Sequence, residues 1–177
     1  PEAYTLARRL GARYVVTSQE GRPRESMLLH RLHFADGAGL DGKPALEHFR
    51  LVTEGPAWGV PLGVLTGVAQ RPSLAPYKLF EVVEGAVFEY RGDPGVEVTG
   101  QLKLRTPTGR RFVYRASTLA DREGLARLRV PYATVTTAPA RPAGPYTLRS
   151  AGRSQRIRVS DAQVRQGAVI AITGPET

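Results

Sequence analysis

From Val96 to Val130 the chain alternates apolar and polar residues with a period of two, and two turn signals interrupt the pattern. Val96, Val98, Leu102 and Leu104 interleave with Glu97, Gln101, Lys103 and Arg105. Thr106-Pro107-Thr108-Gly109 marks a hairpin turn, after which Phe112 and Tyr114 interleave with Arg111, Val113 and Arg115. Asp121-Arg122-Glu123-Gly124 is a second turn, and Ala126, Leu128 and Val130 then alternate with Arg127 and Arg129. Successive strand side chains point to opposite faces, so each run can bury one face and leave the other in water. Further on, Ile157 and Val159 alternate with Arg156 and Arg158, and residues 168–173 read as a closing apolar strand. Seven or eight short strands punctuated by turns predict an antiparallel β-sandwich of transthyretin-like or immunoglobulin-like type.

The first third is organised differently. Ala3, Leu6, Ala7 and Leu10 share one helical face and Gly11 supplies a stop. Residues 12–17 (Ala-Arg-Tyr-Val-Val-Thr) read as a strand. Residues 25–34 read as a helix with Leu28, Leu29 and Leu32 on one face, terminated at Ala35-Asp36-Gly37. Residues 45–54 form a turn and a strand. Between 55 and 76 lie four prolines and four glycines, a length of irregular chain that suits a junction between modules. The expected organisation is an α+β chain: a mixed α/β unit over residues 1–55, a Gly/Pro-rich connection over 56–76, and a basic β-sandwich over 77–177. Trp58, the single tryptophan, falls in the connection, where it either anchors the loop or offers a ring to a sugar or partner.

Charge divides the chain as well. Residues 1–99 hold 11 basic and 12 acidic side chains, whereas residues 100–177 hold 14 basic and 4 acidic ones. Lys103, Arg105, Arg111, Arg115, Arg127, Arg129, Arg156 and Arg158 fall at outward strand positions. They form either a solvated face or a contact surface for anionic lipid or carrier phosphate. A nucleic-acid surface would carry aromatic rings among the cations, but Phe112 and Tyr114 alternate away from them; no nucleic-acid partner is expected.

Motifs for chemistry are sparse. The chain lacks cysteine, which excludes thiolate metal sites and cysteine nucleophiles. Nucleophile-elbow, P-loop and dinucleotide fingerprints are missing, and no catalytic residue is assigned. All three histidines cluster in the first third, as His30-Arg31-Leu32-His33 and His48. An i, i+3 pair on a helix could hold a metal with a third ligand, although the zinc-protease pattern H-E-x-x-H is not there. The competing reading is that His33 and His48 hydrogen-bond backbone near the Asp36-Gly37 turn.

Three peptides carry a resemblance: residues 31–37 (Arg-Leu-His-Phe-Ala-Asp-Gly), 48–52 (His-Phe-Arg-Leu-Val) and 78–86 (Lys-Leu-Phe-Glu-Val-Val-Glu-Gly-Ala). In this order, with a Gly/Pro-rich stretch between the second and third, they resemble the extracytoplasmic C-terminal region of archaeal-type oligosaccharyltransferase catalytic subunits. Those membrane glycosyltransferases transfer a glycan from a lipid pyrophosphate carrier to asparagine. The resemblance implies a soluble, extracytoplasmic (periplasmic or outer-face) domain that supports a multispanning catalytic domain of the same polypeptide and is inactive alone. It also implies an acceptor polypeptide and a lipid-linked glycan as partners of the parent. Mg or Mn would serve the parent, with no cofactor in this fragment.

The family's Trp-Trp-Asp acceptor motif has no counterpart here, because no Trp-Trp pair exists. A short family helix motif, with Met and Ile three residues apart in one of its forms, reads the acceptor's hydroxyl residue. The matching stretch offers Met27, with His30 where Ile is expected. By resemblance Met27 and His30 are acceptor-contact candidates, and by pattern alone Met27 could equally be a core methionine. An alternative from another class is a free-standing β-sandwich module that binds carbohydrate or anionic surfaces.

Overall fold

A computed structural model describes residues 2–18, 27–39, 42–56 and 75–173. The elements are helix α1 (Glu2–Arg9), strand β1 (Tyr14–Ser18), helix α2 (Leu28–Ala35), and strands β2 (Phe49–Glu54), β3 (Tyr77–Val82), β4 (Ala86–Arg91), β5 (Glu97–Arg105), β6 (Arg111–Leu119), β7 (Leu125–Val130), β8 (Arg141–Pro142), β9 (Tyr146–Ser150) and β10 (Arg153–Ile157). Helix α3 (Asp161–Gln166) and strand β11 (Val169–Thr173) follow. Mostly antiparallel strands with a few short helices make this an α+β fold.

Three sheets form. One has the order β1-β3-β2, another β10-β9-β5-β6 with β8 paired to β5, and the third β11-β4-β7. The second and third face each other as the sandwich. Every second residue of β5 (Val98, Gly100, Leu102, Leu104) is buried, as are Tyr114 and Ala116 of β6 and Tyr146 and Leu148 of β9. Gly100 is where the layers come closest: a Cβ there would lie 2.8 Å from Leu128 Cδ2 of the facing sheet. Edge-on ring contacts fill the interior, with Phe88 and Tyr146 at 5.3 Å and Tyr114 and Tyr132 at 5.2 Å between centroids. The Tyr146 hydroxyl donates to the Tyr132 carbonyl at 3.0 Å, and the Tyr132 hydroxyl accepts from the Leu51 amide at 2.8 Å. The second bond reaches out of the sandwich into β2.

The sequence pattern places a sandwich strand at Tyr77, but β3 lies in the middle of the first sheet, antiparallel to both β1 and β2. The sandwich strands begin with β4. Residues 57–74 of the expected connection, Trp58 included, lie outside the described residues. One hydrophobic core runs through both parts, with Leu32, Phe49, Leu51 and Phe80 joined to Phe88, Leu102, Tyr114 and Leu128. The final strand also differs from a purely antiparallel expectation, because β11 runs parallel to β4. A parallel partner needs a crossover, and α3 provides part of it. Ser160 and Gln163 form a capping box at its start, and Gly167 closes it at φ 66°.

The Asp121–Gly124 turn is fixed by the Asp121 carboxylate, which accepts from the Glu123 and Leu125 amides at 2.9 Å, and by a close backbone approach. Gly124 sits at φ +75°, and a Cβ there would fall 1.9 Å from the Gly92 carbonyl oxygen, which belongs to the neighbouring loop. Gly152 has φ +74° but open space around it. Gly124→Ala is therefore expected to cost about 3 kcal/mol or more, against about 1 kcal/mol for Gly152→Ala. Urea denaturation of the two variants checks the difference, and equal costs would contradict the contact.

Candidate functional site

Helix α2 ends on a residue that should not favour the conformation it adopts. Asp36 caps the helix in the left-handed region at φ 52°, which a non-glycine residue occupies only with local compensation. The compensation is electrostatic. Lys78 Nζ of β3 donates to Asp36 Oδ1 at 2.7 Å and to the His33 carbonyl at 2.6 Å. Arg110, in the turn between β5 and β6, clamps both Asp36 oxygens at 2.7 and 2.9 Å. The same guanidinium reaches Glu54 at the end of β2, with Nη2 at 2.6 Å, and Thr108 donates to Glu54 at 2.6 Å. Asp36, Glu54 and Lys78 are all buried.

Burial alone would raise the Glu54 pKa, but the bonds from Arg110, Thr108 and Thr106 outweigh it and hold the carboxyl below its ordinary range. Burial pushes the Lys78 ammonium down, with the Asp36 charge opposing. Two anions and two cations thus join α2, β2, β3 and the β5–β6 turn in one buried cluster.

A second network sits towards the other end of β2 and β3. Arg50 binds Glu81 at 2.9 and 2.7 Å and Asp161 of α3 at 2.6 Å, while Arg165 spans Asp161 at 2.6 Å and Glu81 at 2.9 Å. Burial works against the Asp161 charge, yet hydrogen bonds from Arg50 and Arg165 pull its pKa down.

Beside the first cluster the surface opens. Phe34, Ala35, Asp36, Ala38 and Gly39 of the α2 terminus and Val113 and Arg115 of β6 line a cleft of about 310 Å³. An adjoining cleft of about 490 Å³ shares Gly39 and Arg115 and continues past Lys43 to Glu97 and Ser117. Their common wall is fixed where the Gly39 amide donates to the Arg115 carbonyl at 2.8 Å.

Met27, at the N-cap of α2, is half exposed and is not a core methionine. His30 packs its ring on Phe34, 4.6 Å between centroids. Met27, His30 and Phe34 fall at i, i+3 and i+7, one stripe of the helix that leads into the cleft. Phe34, 38% exposed, is the member that apolar periodicity did not single out.

The histidines lie in different surroundings. His33 is buried, its Nδ1 2.9 Å from the Thr17 hydroxyl. His48 stacks on Tyr4 at 3.6 Å and its Nδ1 lies 3.1 Å from the Val83 carbonyl. Among the described residues no group of three His, Asp or Glu side chains is arranged to hold a metal ion. The buried carboxylates do not suit a divalent cation either, because Lys78, Arg110, Arg50 and Arg165 already occupy Asp36, Glu54 and Glu81.

Of the eight outward cations, Lys103, Arg105, Arg111, Arg115 and Arg156 are exposed on the outer side of the β10-β9-β5-β6 sheet. Arg127 instead pairs with Glu89 at 3.1 Å on β4, and half-buried Arg129 donates to the Glu84 and Gly85 carbonyls at 2.8 and 3.0 Å. Arg158 is exposed after β10.

Residues 85–170 match the family described as the archaeal glycosylation protein B long peripheral domain. The matched segment coincides with the sandwich, from β4 to the start of β11. A sequence comparison with curated proteins gave no match.

Among solved structures, the archaeal oligosaccharyltransferase AglB from Archaeoglobus fulgidus in complex with an inhibitory peptide and a dolichol-phosphate is similar, with TM-score 0.79 and 17% identity over 97% of this chain and 31% of that one. The Archaeoglobus fulgidus oligosaccharyltransferase tethered with an acceptor peptide containing the NVT sequon gives 0.79 and 17% over 98% and 32%. Its apo form gives 0.78 and 16% over 97% and 32%. The likeness shows that the α/β unit and the sandwich share one fold with that region of the archaeal chain. The present chain spans about a third of the length of those chains. Among its described residues no helix is long and apolar enough to cross a membrane.

Two outcomes follow from the charges. Lys78→Met leaves two buried carboxylates to one guanidinium and is expected to destabilise the domain by about 3–5 kcal/mol, measured by urea denaturation. Burial lowers the pKa of both His33 and His48 below the ordinary 6.5. The unfolded chain therefore binds protons first on acidification, so this part of the stability is complete above about pH 6.5 and declines below it. His48→Gln should flatten the fall in stability between pH 6.5 and 5, and an unchanged slope would refute the assignment.

Proposed function

We propose that this chain is the extracytoplasmic, C-terminal peripheral domain of a membrane oligosaccharyltransferase that moves a lipid-linked glycan to asparagine. The domain holds no catalytic group of its own in this reading. It supports the membrane catalytic domain of the same polypeptide and supplies one wall of the acceptor cleft. The metal of the parent, Mg or Mn, is bound outside this chain. The observation that carries the reading is the α2 stripe of exposed Met27, half-buried His30 and exposed Phe34 running into the cleft beside Val113 and Arg115.

The stripe suits an acceptor polypeptide physically. Met27 and Phe34 offer apolar contact to a small side chain, and Arg115 adds a guanidinium at the far end for peptide carbonyls. The buried charge cluster keeps α2 rigid against β3 and β6, so the wall keeps its shape while a peptide binds. The first sheet also exposes Tyr14, Val16 and Tyr77, an apolar face suited to the catalytic domain.

In the full-length parent, Met27→Ala and Phe34→Ala are each expected to raise the acceptor-peptide KM about three- to tenfold while kcat and the KM for the lipid-linked donor stay within about twofold. A fall in kcat with acceptor KM unchanged would overturn the acceptor role. So would no effect from either variant.

A further inference from the structure

The outer face of the five-stranded sheet holds cations of one sign in an arrangement that costs the domain stability. Arg141 of β8 stands directly opposite Arg105 of β5, and Arg105 stands directly opposite Arg111 of β6. Three guanidinium groups therefore lie side by side across three neighbouring strands. One step along β5, Lys103 adds a fourth charge, paired with Val113. On the next row Arg156, Thr147, Gln101 and Arg115 follow one another across four strands, and beyond them Arg149 pairs with Thr99.

All these cations are exposed, and none makes an ion pair among the described residues. The one acid on this face is Glu97, at the far end opposite Leu119.

Like charges directly opposite across strands repel. Elsewhere in the domain Arg50, Lys78, Arg110, Arg127 and Arg165 each meet a carboxylate, whereas on this face seven cations gather without one. An uncompensated face in the same molecule points outward to an anionic partner. Its shape narrows the partner. Four strands across, about 4.8 Å apart, make a platform roughly 15 Å wide, because β8 and β9 share one edge of β5, and short hydroxyl side chains (Thr99, Thr147, Ser117, Ser154) lie between the cations. The face carries neither an aromatic ring for stacking bases nor a helix to enter a groove, so nucleic acid fits it poorly. A flat array of phosphates fits it well.

We infer that this sheet face docks on the anionic phospholipid headgroups of the membrane beside which the domain works. The inference rests on the oligosaccharyltransferase reading for its membrane; Arg115 borders both sites, but the residues varied in the two tests (Arg105, Arg111 and Arg141 here, Met27 and Phe34 there) are separate and have separate readouts. Loss of vesicle binding with an intact acceptor KM effect would remove the docking alone. The reverse pattern would remove the acceptor role alone.

The test is sedimentation of the 177-residue chain with vesicles of phosphatidylcholine containing 30 mol% phosphatidylglycerol, beside pure phosphatidylcholine vesicles. Binding to the anionic vesicles at about 50 mM salt is expected to be lost at about 500 mM. The triple variant R105Q/R111Q/R141Q should weaken it on the order of a hundredfold, and R122Q in the exposed turn should leave it within about twofold. No binding at low salt, equal losses in both variants, or tighter binding to duplex DNA than to vesicles would each overturn the proposal. A second reading needs no ligand. Arg105→Gln relieves two opposed pairs, so its melting temperature should rise by about 1–3 °C, and a fall would show that the arginines stabilise the fold instead.

Discussion

The paired carboxylates of Asp36 and Glu54, held by Lys78 and Arg110, are the interaction on which the arrangement of the molecule depends. Four elements that are distant in sequence meet there, and each brings a charge that could not be buried alone. Arg110 suits the task because its planar fork can clamp Asp36 and Glu54 together, which a lysine ammonium cannot do with the same geometry. Once the cluster is made, the end of α2 lies against β6, and the two clefts are a by-product of where that contact stops.

The second network, around Arg50 and Glu81, does the same for α3. Lys78 and Glu81 are three residues apart on β3, so they project to opposite sides of the strand. The central strand of the first sheet is thereby tied on one side to the β5–β6 turn and on the other to the helix that precedes β11. The Tyr132 hydroxyl adds a neutral link by accepting from the β2 backbone. Two sheets that could have packed as independent units instead share one interior, and their relative orientation is set by charge pairs and hydrogen bonds whose geometry is narrow.

Much of the sandwich was legible because β5, β6 and β7 obey period two, and their turns carry glycine where positive φ is needed. The α2 stop was legible from Ala35-Asp36-Gly37. Other features left weaker marks. β3 reads as a strand from its composition, but nothing local tells which sheet it joins, and its register partners on β1 and β2 are set by tertiary contact. Helix α3 has only six residues, too few for an apolar period, although Ser160 with Gln163 three residues later was a usable capping signal. Asp36, Glu54, Lys78 and Arg110 are scattered along the chain and look like ordinary surface charges, so only the fold reveals them as a cluster. Among the eight outward cations, alternation gave the face but not the partner. It could not separate Arg127 and Arg129, which belong to the opposite sheet, from the five that line up with Arg141 and Arg149.

The parallel pairing of β11 with β4 has a bearing on how the domain comes into being. β4 is a nearly continuous apolar strand, and β7 covers only one of its edges. The other edge stays open until the chain has passed through β5 to β10 and turned at α3, so the sandwich is closed by a pairing of very long sequence separation. Such topologies fold slowly and expose strand edges while they wait. A chain interrupted before residue 169 would hold nearly all of its core residues yet present β4 as an unpaired apolar edge. The last strand therefore acts as the latch that decides whether this domain is a closed fold or a sticky intermediate.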